Sequence, residues 1–137
     1  MLNYDPKQAD ALVLDNGDYD AEIDGAEDDK KTKKGDLCLI LHWRIFGGDG
    51  LEKYLRDWIV LPSALWRLKL LCDLAGLQKE FASPPFDSQR LVGLGFKVTV
   101  IQTSDVKYGK QNKIYKYISL LGTRAPDLTP PDENIPF

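Results

Sequence analysis

Cations cluster at close spacing in three parts of this chain, in two of them beside aromatic rings. Lys30, Lys31, Lys33 and Lys34 crowd one short stretch, Tyr54, Arg56 and Trp58 alternate along another, and Lys107, Tyr108, Lys110, Lys113 and Tyr115 fill a third. His42 and Arg44 sit two residues apart in an otherwise apolar run. The chemistry open to such sets is non-covalent: an ammonium or guanidinium group attracts a phosphate, and an exposed ring offers a stacking face to any base. One stacked base contributes roughly 1–3 kcal/mol, so two or three platforms and a few phosphate contacts give useful affinity for a single strand without sequence choice.

The formal charge of −3 would oppose a polyanion if it were evenly spread. It is segregated instead. Up to Asp29 there are ten acidic residues against Lys7 alone, whereas Phe86 to Gly122 holds six basic residues against Asp87 and Asp105. A polyanion responds to local potential, so this distribution leaves nucleic acid open as a partner.

Catalysis is poorly provided for. His42 is the only histidine, Cys38 and Cys72 lie in separate apolar runs, and no Cys-x-x-Cys spacing exists, so no metal set is expected. The cysteines read as small buried hydrophobes in a reducing compartment. Asp18, Asp20, Glu22 and Asp24 alternate and should form a solvated row on one strand face. Gly47-Gly48-Asp49-Gly50 lacks the lysine and following helix of a phosphate-cradling loop. No catalytic residue and no cofactor are expected.

The last six residues suit docking. Asp132 and Glu133 precede an apolar Ile135-Pro136-Phe137 end, in which Phe137 can fill a partner's apolar socket while its carboxylate meets an Arg or Lys. Pro136 limits the entropy lost on ordering. This ending resembles the C-terminal tip of bacterial and bacteriophage single-stranded-DNA-binding proteins, which close on an acidic run and Ile-Pro-Phe.

The elements that must position these groups follow from hydrophobic period. Gly17 to Asp28 alternates through Tyr19, Ala21 and Ile23 as a first strand, and the Lys30 to Gly35 loop follows. Leu37, Leu39, Leu41, Trp43 and Ile45 share the inner face of a second strand, with His42 and Arg44 outside. Gly47 to Gly50 turns the chain into a third strand, Leu51 to Val60, whose Tyr54, Arg56 and Trp58 lie opposite Leu55 and Ile59. Pro62 stops that strand and starts a helix with Leu65, Leu68, Cys72 and Ala75 on one stripe, ended by Gly76. Phe96 to Gln102 and Asn112 to Leu121 form strands four and five, with Lys113, Tyr115 and Tyr117 in alternation. Trp43, Trp66 and Phe96 are expected in the core.

Three strands, one helix and two strands make the order of a mainly β, five-stranded oligonucleotide-binding barrel (OB-fold), with a single α-helix between strands three and four. That architecture binds single strands across strands two and three and between the loops joining strands one to two and four to five, where the basic and aromatic residues fall. Residues 1–122 read as this domain. Residues 123–137, with Pro126, Pro130 and Pro131, read as a linker carrying the tip. No apolar run approaches membrane-spanning length and the acidic N-terminal stretch is unlike a signal peptide, so a cytoplasmic protein away from membranes is expected.

Asn3-Tyr4-Asp5, Tyr19-Asp20-Ala21-Glu22-Ile23, Leu39 to Arg44 and Leu91-Val92-Gly93, together with the tip, resemble a bacteriophage family once known only as a domain of unknown function. That family is similar to phage single-stranded-DNA-binding proteins. The resemblance implies a protein that coats single-stranded DNA in phage replication and recombination and recruits partner enzymes through its tip. Asn134 departs from the pattern by standing where an acidic residue is usual. The competing reading of the same residues is a protein-interaction adaptor on the same barrel that never touches nucleic acid, and RNA or duplex remain open as ligands.

Deleting Ile135 to Phe137 should leave DNA affinity equal or higher, because an anionic tail competes for a cationic groove, and should abolish partner capture. Binding assays on the full and shortened chains check both; equal partner capture would remove the docking role of the tip.

Overall fold

The computed structural model describes residues 1–4, 6, 13–48, 50–107 and 109–123. It contains β1 (Gly17–Lys31), β2 (Leu37–Gly48), β3 (Leu51–Val60), α1 (Leu65–Ala75), α2 (Gln78–Ala82), a 3-10 turn (Ser88–Leu91), β4 (Leu94–Asp105) and β5 (Gly109–Thr123). The five strands form one sheet in the order β3-β2-β1-β4-β5, and every neighbouring pair is antiparallel. Mainly β structure with helix between the third and fourth strands agrees with the sequence. The expected single helix does not: α2 and the 3-10 turn share that connection.

The core lies on one face of the sheet and under α1. Leu39, Leu41, Trp43 and Ile45 of β2 point into it with Ala21 and Ile23 of β1 and Phe96, Val98 and Val100 of β4. This is the two-residue period of half-buried strands. Trp43 sits at the centre, stacked on Tyr117 at 5.7 Å between ring centroids and edge-on to Phe96 at 5.8 Å. Leu68, Leu71 and Cys72 of α1 complete the packing. Gly76 ends α1 in the left-handed region at φ +74°, and the N–H of Leu77 donates back to the Cys72 carbonyl at 2.8 Å. Burial pushes the Cys72 thiol up to about 11 and raises the Cys38 thiol as well, so both behave as inert apolar groups.

Two expectations about aromatics are corrected. Tyr117 faces inward, not outward with Tyr115. The β4–β5 register shifts between the pairs Thr99–Lys116 and Val100–Ile114, so Tyr115 is an extra residue on β5, and Ile114 and Tyr117 both reach the core. Strict alternation could not anticipate that insertion. Trp66, expected inside, is 64% exposed, because α1 turns its Leu68-Leu71-Cys72 stripe to the sheet and leaves Trp66 beside Lys69 and Asp73 on the solvent side.

No backbone ladder joins β3 to β5, the two outermost strands in the order. Side chains join them. Tyr117 on β5 donates its hydroxyl hydrogen to Asp57 on β3, and Arg67 on α1 donates to Asp57 Oδ1 at 2.8 Å and to the Tyr117 hydroxyl oxygen at 2.8 Å. The Arg67 guanidinium also lies 5.1 Å from the Tyr117 ring centre. The sheet must therefore curl until its two outermost strands face one another. Asp57 is only 6% exposed, which a carboxylate tolerates only with a cation and hydrogen bonds of this kind.

Removing the cation should cost far more than removing the hydroxyl. Arg67→Ala leaves a buried carboxylate without its cation and should destabilise by roughly 3–5 kcal/mol. Tyr117→Phe leaves Asp57 paired and should cost about 1–2 kcal/mol. Burial, followed by the Asp57 charge, raises the Tyr117 phenol above its ordinary 10.0. Because the folded value is the higher one, its contribution is complete below pH 10 and is lost as pH rises beyond it. Chemical denaturation of both variants, repeated on the alkaline side for Tyr117→Phe, checks order and sign.

Candidate functional site

The outer face of β1, β2 and β3 is built in transverse rows. Glu22 of β1 pairs with Arg44 of β2, which pairs with Tyr54 of β3; the next row is Gly25, His42 and Arg56, and the third is Glu27, Ile40 and Trp58. Residues Tyr54, Arg56 and Trp58 thus form the far column, as their alternation predicts. Tyr54 is 62% and Trp58 49% exposed, both high for rings of this size. Asp57 and Ile59, buried between and beyond them, fix that phase. No ion pair holds Arg56 among the described residues.

The middle column is less open. Arg44 is taken up by Glu22 at 3.3 Å and by the ring of Phe46, whose centre lies 5.0 Å from the guanidinium carbon. His42 Nε2 meets Glu27 Oε2 at 2.6 Å, and this hydrogen bond holds the Glu27 carboxyl below its ordinary range. Arg44 and His42 therefore reach the outer face as expected, but largely engaged with β1.

The acidic residues of β1 meet the expectation in part. Asp18, Asp20 and Asp24 are exposed as expected, whereas Glu22 is buried, and all but Asp24 have cross-strand partners. Lys97 donates to Asp20 at 2.8 Å, Thr99 to Asp18 at 2.7 Å, and Glu22 and Glu27 serve Arg44 and His42. Asp24 is the exception. It sits at a break in the β1–β2 register between Ile23 and Gly25, without a cross-strand partner.

The cationic stretches lie at the two ends of this face. Lys30 and Lys31 belong to β1 itself, and Lys33 and Lys34 occupy the turn closed by the N–H of Thr32 donating to the Asp36 carbonyl at 2.8 Å. Lys30 is partly engaged by Glu27 at 3.6 Å. The β4–β5 hairpin lies beyond the other end of β1, because Gly17 pairs with Val100 and β4 runs on to Asp105. Lys107, Lys110, Lys113 and Tyr115 are exposed there. The two basic turns are therefore not side by side; they stand at opposite ends of β1, with the Tyr54-Arg56-Trp58 column on rows between them. Tyr108 and the tip residues Asp132, Glu133, Ile135, Pro136 and Phe137 lie outside the described residues.

Two concavities were not legible in the sequence. The larger of the two, about 670 Å³, is apolar and lies between α1, the connector around Pro84 and Phe86, and the start of β2 at Leu37 to Leu39. A smaller cleft of about 380 Å³ opens on the outer face itself, where Asp24, Gly25, His42, Tyr54 and Arg56 meet. Among the described residues no three His, Cys, Asp or Glu side chains come together as a metal set, and no helix is long and apolar enough to cross a membrane. The arrangement offers stacking faces and cations.

Solvent quenching should separate the tryptophans. Trp58 and Trp66 are exposed and Trp43 is fully buried. Acrylamide should quench most of the emission of the native protein, and a Trp58→Phe, Trp66→Phe double variant should retain only a blue-shifted signal resistant to quencher. Uniform accessibility of all three would contradict the stated packing.

No protein-family model matches the chain and no curated protein matches it in sequence, so the reading of the site rests on its own geometry.

Proposed function

We propose that this protein binds single-stranded DNA with little sequence choice, along the outer face of β2 and β3. The observation that carries the reading is the Tyr54-Arg56-Trp58 column: two exposed rings flank an arginine that no described carboxylate neutralises. A polynucleotide laid along the column stacks bases on the rings and sets phosphates near Arg56. At one end it meets Lys31, Lys33 and Lys34, and at the other Lys110 and Lys113, with Tyr115 as a further ring. No step in this activity needs a bond to be made or broken.

The barrel reading belongs to the same proposal. A curled sheet in the order β3-β2-β1-β4-β5, with β3 held to β5 through Asp57, Arg67 and Tyr117, is what supports an OB-fold closed at that seam. With the phage resemblance, it supports a role in coating single strands during replication and recombination, with the tip recruiting partner proteins. A second reading, the adaptor without nucleic acid, draws its support from the apolar cavity of about 670 Å³, which suits a peptide better than a strand.

Titration with oligo-dT at several salt concentrations tests the first reading. Log affinity should fall linearly with log salt by about 0.7 per phosphate neutralised. Arg56→Ala should flatten that slope by about one such unit, and Trp58→Ala should cost roughly 1–3 kcal/mol. Absence of binding at low salt overturns the proposal and leaves the adaptor.

A further inference from the structure

The cleft at Asp24 has a chemistry that the general stacking face lacks. A surface for any single strand gains nothing from a carboxylate, which repels phosphate. Asp18, Asp20, Glu22 and Glu27, also on β1, are engaged by neighbours on β2 or β4. Asp24 has no ion pair or side-chain hydrogen bond with any described residue. It lines the same cleft as Arg56, which likewise has none, together with Gly25, His42, Trp43, Tyr54 and Leu55. Asp24 stands on β1 and Arg56 on β3, two strand spacings or about 10 Å apart at the backbone.

We infer that this cleft reads a guanine base of the bound single strand, with Asp24 and Arg56 as the specificity-determining pair. The inference rests on the binding face proposed above. A carboxylate only accepts hydrogen bonds, and guanine is the base with two adjacent donors, N1–H and the N2 amine, to match its two oxygens. On its neighbouring edge guanine offers O6 and N7, the acceptors that an arginine fork takes together. Adenine and cytosine offer Asp24 one amine beside an acceptor, and thymine offers one N–H between two carbonyls. The base plane lies over Gly25 and His42. A Cβ added at residue 25 would make ordinary contact with the His42 ring at 3.5 Å, and glycine leaves that space to the cleft. The protein is then sequence-tolerant along most of its footprint and selective at one position.

Competition between oligonucleotides of equal length tests this: oligo-dT against the same strand carrying a few separated dG residues. The dG strand should bind at least about fivefold tighter, the low end of what one good bidentate contact discriminates. Inosine in place of guanine, which lacks only the N2 amine, should lose much of that advantage, and 7-deazaguanine should lose the part owed to Arg56. Asp24→Asn removes a charge from an exposed position, so it should leave oligo-dT affinity equal or slightly raised while reducing the guanine preference to the part owed to Arg56. Equal binding of the two strands by the wild type overturns the inference, as does a preference undiminished in Asp24→Asn; in either case tight oligo-dT binding would leave the general reading standing. Preference for free GMP without preference within a strand would reassign the cleft to a nucleotide site and overturn it too. Failure of every strand to bind removes the general reading and this one together.

Discussion

The carboxylate of Asp57 organises this molecule. It is buried on an outermost strand, and burial of a charge is tolerable only if an opposite charge and hydrogen-bond donors come with it. Those partners come from two other elements, Arg67 of α1 and Tyr117 of β5. Satisfying one side chain therefore fixes the curl of the sheet, the seat of the helix and the inward turn of a tyrosine on which Trp43 stacks. It also sets the phase of β3. With Asp57 and Ile59 inward, Arg56 and Trp58 have no alternative to the outer face. The exposed column that carries the proposed function is the reverse side of the buried clasp.

Much of this was legible in the chain because it depends on local pattern. The inner face of β2, the outward alternation of Tyr54, Arg56 and Trp58, the start of α1 after Pro62 and its stop at Gly76 all follow from period and turn chemistry. What was not legible depends on register. A strand with an inserted residue looks regular in sequence, so Tyr117 reads as a continuation of Lys113 and Tyr115 when the shift at Lys116 has turned it inward. Asp24 reads as one more acid in a row for the same reason. Trp66 is a different failure: a large aromatic on a helix predicts burial, but α1 is anchored at Arg67, and its neighbour is left in solvent.

Charge segregation along the sequence also changes meaning in three dimensions. The acidic strand β1 lies against β4 and β2, and most of the outward acids of β1 are matched to Lys97, Thr99, Arg44, His42 or Lys30. Arg44 and Lys97, which a count of basic residues would credit to ligand binding, are engaged within the protein. Among the described cations without an ion pair, Arg56 on β3, Lys31, Lys33 and Lys34 at one end and Lys110 and Lys113 on β5 lie away from the centre of the sheet. A polyanion responds to this remainder, so a negative total charge and a cationic path coexist without contradiction. The same accounting makes Asp24 informative. Asp24, open beside an open arginine, presents with it a donor-seeking and an acceptor-seeking group across a single cleft. A base can satisfy both groups at once and a phosphate cannot.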